Sequence, residues 1–145
     1  MSVEFRLLEP GEASVLDHVA EGVFDRGVDH DLCTEFLNDS RHHLAVAIDD
    51  GVVIGMASAV DYIHPDKTVE LWINEVGVSP DRQRSGIGRR LVNALLEKAD
   101  ELGCREVWVA AERDDAGAQK FYSSLGGDAD PLVMYTFRRR GPSDS

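Results

Sequence analysis

"VGVSPDRQRSGIGRRLVNALLEKA", residues 76–99, decides how this chain is read. Its first residues continue the β-prone run "TVELWINE" and stop at Ser79-Pro80, which predicts a strand over 68–78. From Gly86 onward Ile87, Leu91, Leu95, Ala99 and Leu102 recur every three or four residues, and Gly103 stands in the usual closing position. That spacing predicts an amphipathic helix over 86–102. Between strand and helix lie Gly86, Gly88 and the four arginines Arg82, Arg84, Arg89 and Arg90. A helix start exposes unpaired N–H groups and the positive end of its dipole, and glycine puts no side chain in front of them. Such a turn suits an anion, with the arginines as added charge. Each helix-end contact contributes about 0.3–1 kcal/mol, so several must act together. The dinucleotide fingerprint needs a third glycine where Leu91 stands, and the Gly-Lys-Ser/Thr of a Walker loop is absent. On these residues alone, an anion site and a plain tight turn both remain open.

Working outward, "VEFRLL" (3–8) reads as a strand stopped by Pro10-Gly11. Val15, Leu16, Val19 and Val23 have a helical period, which predicts a helix over 12–24, and Leu32, Phe36 and Leu37 predict another over 30–40. Two apolar runs around Asp49-Asp50-Gly51 predict a hairpin. After the long helix come a strand (104–111), a helix (114–127) and a last strand, "PLVMYTFRR" (131–139). The order predicts one α/β domain over 1–140 and a frayed tail at 141–145.

The chain has 145 residues, 15 Lys+Arg and 27 Asp+Glu, a formal charge of −12. This argues against general nucleic-acid binding, which needs a basic surface, and suits either a cationic partner or an ordinary solvated acidic face. Cys33 and Cys104 form no framework and match no metal-ligand spacing, and no apolar run approaches membrane-spanning length. A cytoplasmic, metal-free protein is expected.

The opening stretch resembles the signature of the GNAT superfamily of acetyl-CoA-dependent N-acetyltransferases. Gln83, Gly86 and Gly88 fill its Gln/Arg-x-x-Gly-x-Gly/Ala core, and Val76, Val78 and Pro80 fill the preceding strand end. Asp115, Ala118, Tyr122, Leu125 and Gly126 follow its Asn-x-x-Ala-x-x-x-Tyr-x-x-Leu-Gly pattern, with Asp in place of Asn. The resemblance implies a mixed, mostly antiparallel sheet with helices on both faces. It implies that the backbone around Gln83, Arg84, Ser85, Gly86, Ile87, Gly88 and Arg89 holds the coenzyme A pyrophosphate. It implies too that Val76, Gly77 and Val78 pair with the pantetheine arm. Homodimers are common in such relatives, so a homodimer is among the expectations.

Direct acyl transfer in a ternary complex needs a neutral amine and a proton for the leaving thiolate. An alkylamine, with a pKa of roughly 10.4, arrives protonated, and a carboxylate attracts it and takes the proton. Holding the reactants together supplies about 7–11 kcal/mol, more than one acid–base group gives. Tyr122 matches the family's general acid, although a packed aromatic beside Phe121 reads equally well from the pattern. Many relatives carry a glutamate where this chain has Ala110, so Glu75, next to the bulge-prone Gly77, is the preferred base; Glu70 and His64 are weaker alternatives. Over nearly the whole chain the sequence is similar to the type I aminoglycoside 3-N-acetyltransferases. That resemblance implies a polycationic aminosugar acceptor facing Glu75, Asp114 and Asp115, with Asp25, Asp29 or Asp61 as further contributors. Asp114 and Asp115 also suit a helix cap. Another amine (a polyamine, an amino acid, a protein N-terminus or lysine) and a non-catalytic coenzyme A sensor stand as alternatives.

Overall fold

The computed structural model describes residues 2–141. The chain packs as two compact units, one ending at Ala110 and the other beginning at Ala111. The first is built on a five-stranded sheet of β1 (Glu4–Leu7), β2 (His42–Asp49), β3 (Val52–Tyr62), β4 (Glu70–Val78) and β5 (Val107–Val109), in that spatial order. β1 to β4 pair antiparallel with their neighbours, while β5 runs parallel to β4. The β2–β3 turn is tight because Asp50 (φ 50°) and Gly51 (φ 77°) are both left-handed, the backbone a two-residue hairpin needs.

Alternation along β2 and β3 sends two different sets of side chains to the two faces. Leu44, Val46, Val53 and Met56 meet Leu16, Val23, Cys33 and Leu37, the last two from α1 (His30–Asn38). The Asp29 carboxylate starts α1 by accepting the Leu32 N–H at 3.0 Å. The opposite face is lined with the small residues Ala45, Ala47, Gly55 and Ala57, and α2 (Ile87–Leu102) lies close against it. A Cβ on Gly55 would sit 3.0 Å from Ile87 and 3.1 Å from Leu91, so glycine sets how closely the helix approaches. Leu91 and Leu95 are fully buried there, each worth about 1.5–3 kcal/mol. Helices therefore cover both faces of a mostly antiparallel sheet, as expected.

Two elements differ from the sequence reading. Only Ala13–Asp17 of 12–24 is helical, as a 3-10 turn. The chain then extends so that Val53 N–H donates to His18 O (2.9 Å) and Ala20 N–H to Val53 O (2.8 Å). Leu16 and Val23 are buried all the same, so tertiary pairing overrides the helical period without sacrificing the apolar contacts. The strand expected over 131–139 does not form. Leu132, Val133, Met134, Tyr135 and Phe137 are 77–83% exposed, and among the described residues the second unit contains one helix and no strand. That unit holds α3 (Ala116–Ser124), closed by left-handed Gly126 (φ 93°). Of the expected tail, 142–145 lies outside the described residues. Among the described residues, no helix is long and apolar enough to cross a membrane.

Candidate active site

β4 changes character midway. Its parallel pairing with β5 covers only Leu71, Trp72 and Ile73. Between Ala59↔Ile73 and Ser58↔Glu75, β4 advances two residues while β3 advances one, so Asn74 is a bulge. The alternation of burial breaks with it: Ile73 is buried, while Asn74 and Glu75 are both exposed. From Asn74 to Val78, β4 pairs with β3 on one side, and no described strand pairs with its other edge. That edge leaves backbone N–H and C=O groups available to an extended ligand.

The bulge falls at Asn74, not at Gly77 as the sequence suggested. Gly77 serves a different need: a Cβ there would lie 2.0 Å from the carbonyl oxygen of Val23, so only glycine lets the 18–24 segment cross β4. This crossing brings Asp25 into electrostatic range of Glu75. Partial burial, then the Asp25 charge, push the Glu75 carboxyl above the usual glutamate range. A carboxylate so shifted is a stronger base than free glutamate, which suits proton removal from an ammonium group. If Glu75 acts in this way, Asp25→Asn moves the acidic limb of the kcat–pH profile to lower pH, because removal of a like charge makes Glu75 easier to ionise. An unmoved limb would exclude Asp25 as a tuning residue.

The turn after β4 is held by its own side chains. Gln83 Nε2 donates to Val78 O at 3.1 Å, and Ser79 Oγ donates to Asp81 at 2.5 Å. Arg84 (φ 65°) and Gly86 (φ 87°) are left-handed, and Gly86 is the N-cap of α2 with no side-chain cap bond. A left-handed residue followed by a helical one turns successive N–H groups toward a common point, a concave anion site. A Cβ on Gly86 would meet nothing within 4 Å, so the space in front of the helix start is open. Ser85 Oγ turns back to Arg82 O, leaving main chain as the principal donor.

The arginines divide. Arg82 Nη2 donates to the buried Asp49 carboxylate at 2.6 Å, and the Arg90 guanidinium sits 3.9 Å from the centroid of the Phe5 ring. These two, expected to surround an anion, are committed to holding the turn and β1. Arg90 also lines a groove of about 400 Å³ between β1 and α2, whose other walls include Phe5, Leu7, Asn93 and Glu97.

In the second unit, Asp115 accepts the Ala118 N–H at 2.9 Å and is the N-cap of α3, while Asp114 is exposed. Tyr122 packs edge-on against Phe121 with centroids 5.1 Å apart. Burial, then the Asp115 charge, raise its phenol above the ordinary tyrosine pKa, so it keeps its proton at neutral pH.

Two acids named as further acceptor contacts have other duties. Asp61 is buried and lies 2.6 Å from His43 Nε2, and Asp29 caps α1. His42, by contrast, meets the Phe36 ring at a tilt with centroids 5.0 Å apart, so the adjacent histidines face opposite sides of the sheet. Cys33 and Cys104 are free, and burial raises both thiols, followed by Asp17 for Cys33 and Asp61 for Cys104. Among the described residues, no three His, Cys, Asp or Glu side chains gather as metal ligands. The sequence reading missed Asn74 and the pairing of Trp72 with Trp108. The second had a signal, since "LWI" and "VWV" each carry Trp between apolar residues on strands joined by one helix.

The acetyltransferase (GNAT) family profile matches residues 13–126. The chain belongs to the GNAT acetyltransferase family. An aminoglycoside N(6')-acetyltransferase type 1 from Salmonella typhimurium is 29% identical over 104 residues, spanning 68% of this chain and 71% of that one. A mycothiol acetyltransferase from Saccharopolyspora erythraea is 43% identical over 63 residues, 43% of this chain but only 20% of that protein. This GNAT chain therefore spans about a fifth of that relative's length. The solved structure of AAC(6')-Iy in complex with the bisubstrate analogue CoA-S-monomethyl-acetylneamine superposes with a TM-score of 0.79 at 21% identity, covering 97% of this chain and 100% of that one. These aminoglycoside enzymes are of the 6' type, whereas the sequence resemblance had pointed to the 3-N type.

Proposed function

We propose that this GNAT chain transfers the acetyl group of acetyl-CoA to an amine of an aminoglycoside-like polycationic aminosugar, by direct attack in a ternary complex. The observation that carries the reading is Glu75: an exposed carboxylate with a raised pKa, at the point where β4 leaves β5 and runs on to the open start of α2. The uncapped, glycine-started helix fits a pyrophosphate, and the unpaired β4 edge fits an amide-bearing arm. Acetyl-CoA, when bound, supplies a thioester whose carbonyl accepts the amine.

Around it the chain's own groups divide the work. The backbone from Gln83 to Arg89 holds the diphosphate, and the main chain of Val76, Gly77 and Val78 holds the pantetheine amides. Glu75 attracts the acceptor ammonium and takes its proton; the C–N bond then forms and the C–S bond breaks. In the role the family resemblance gives it, Tyr122, kept protonated by its surroundings, donates its phenol proton to the departing thiolate. The second proton of the attacking nitrogen leaves to solvent, from which Tyr122 is reprotonated. The net charge of −12 draws polycations toward the protein. As the family resemblance implies, Asp114 and Asp115 supply further carboxylates for the acceptor.

The test is thiol release from acetyl-CoA across a panel of amines, with the acetylated position assigned by NMR. Aminoglycoside turnover supports the reading, and the product distinguishes position 3 from position 6'. Activity confined to spermidine-like amines, amino acids or peptides moves the acceptor to another class. Tight coenzyme binding without turnover on any amine makes the chain a sensor. Tyr122→Phe is expected to lower kcat by about 10²-fold, with little change in acetyl-CoA affinity. A large loss of affinity would mean that the hydroxyl holds the coenzyme instead.

A further inference from the structure

Glu75 shares its face of the sheet with a cluster that the scheme above does not use. Cross-strand partners lie on one face, and the pairs Ser58↔Glu75, Val60↔Trp72, Tyr62↔Glu70 and Trp72↔Trp108 put Glu75, Trp72, Trp108, Tyr62 and Glu70 together on it. Of the first unit's helices, α1 lies over β2 on this face, and α2 crosses the opposite one. Trp72 and Trp108 stack with centroids 5.2 Å apart and planes 10° apart. Trp108, at the sheet edge, remains 40% exposed, high for so large an apolar ring.

Hydrogen bonds fix the pair. The Trp108 indole N–H donates to Tyr62 Oη, and Tyr62 Oη donates to Glu70 Oε1 at 3.1 Å. His64 Nε2 lies 3.6 Å from the same Oε1, and its ring meets Tyr62 edge-on at 5.0 Å. Both contacts use one oxygen of Glu70, and its side chain is 13% exposed. The result is a rigid aromatic wall with a carboxylate at its foot, and little ordering is needed for a ligand to use it. Aromatic faces attract saturated rings through their C–H groups and ammonium groups through the ring quadrupole, and a nearby carboxylate strengthens the second. Trp72 precedes Glu75 by three strand positions, roughly 10 Å of extended chain less the bulge. That span matches one sugar ring and its linkage.

We propose that Trp72 and Trp108, braced by Tyr62 and Glu70, form a second acceptor subsite. It takes the face of a second, ammonium-bearing ring while the amine to be acetylated sits at Glu75. The subsite rests on the reading of Glu75 as the acceptor end of the groove. It narrows the substrate class to acceptors of at least two linked rings with amines at both ends, and makes single-ring amines poor substrates.

The chain contains two tryptophans, and both are in the pair, so intrinsic fluorescence reports on the subsite directly. Neamine, an aminosugar linked to an aminocyclitol, is titrated into the protein with coenzyme A present, and glucosamine serves as the one-ring comparison. Neamine is expected to change the emission saturably, and glucosamine to change it little at equal occupancy. In kinetics, Trp108→Ala lowers kcat/KM for neamine about tenfold more than for glucosamine, and Trp108→Phe, which keeps an aromatic face, restores most of the difference. Glu70→Gln shifts the same ratio in the same direction. Unchanged emission at neamine concentrations that occupy the protein by calorimetry overturns the proposal, as do equal losses for both amines. The fluorescence titration needs no turnover, so it separates failure of the subsite from failure of the acetyltransferase reading. If Trp108→Ala does not fold, the wild-type titration and Glu70→Gln still decide.

Discussion

Glu75→Gln lowers kcat on the best amine by about 10²–10⁴-fold, while acetyl-CoA affinity and thermal stability stay close to those of the parent protein. Glutamine keeps the size and the exposed position of the side chain but cannot accept the ammonium proton. The residual rate is expected to rise with pH through the alkaline range, because free neutral amine then replaces the missing base. Stopped-assay kinetics over pH 6–10 check both parts. The loss stops short of abolition because holding thioester and amine together supplies about 7–11 kcal/mol that does not depend on Glu75. A variant with unchanged kcat would hand the base role to another carboxylate, with Glu70 the first to test. Asp25→Asn complements this experiment, since it alters the basicity of Glu75 without removing it.

Gly77→Ala is the substitution expected to do most damage to the fold. The added methyl would lie 2.0 Å from Val23 O and 3.0 Å from Val23 C, both backbone atoms, so no side-chain rotation relieves the clash. Overpacking of this kind costs about 1–3 kcal/mol, and a rigid backbone neighbour puts Gly77 at the upper end. The melting temperature should fall by roughly 5–15 °C. Buried Val23 ties this segment to the core, and Asp25 follows two residues later. A variant that still folds should therefore also show a Glu75 acid limb moved toward the ordinary glutamate range. Thermal melts and the kcat–pH profile of the same preparation test both links. An unchanged melting temperature would mean that the 18–24 segment is free to lift from β4.

The second unit shows where reading by pattern succeeds and where it stops. Asp115-x-x-Ala118 was legible as a helix start because capping is local: the carboxylate reaches the N–H three residues on. The apolar pattern of 131–139 was equally clear, yet no strand forms there. A strand's hydrogen bonds belong to its neighbour, and no pattern within a segment supplies a partner. The region 12–24 went astray for the same reason, since its backbone bonds go to Val53 instead of to itself.

The site divides along the same line. Gly86 at the start of α2, Gly103 at its end and the apolar stripe between them could be read directly, because capping, left-handed backbone and helical period act over a few residues. The amphipathic helix, the glycine turn and the acidic balance were thus settled by sequence alone. Tertiary structure decided the rest: the bulge at Asn74, the crossing of Val23 over Gly77 that charges the surroundings of Glu75, the commitment of Arg82 to Asp49, and the stacking of Trp72 on Trp108. Each of these depends on which distant segment arrives at a given point in space. Strand register and the packing of the connecting segments against the sheet fix that together.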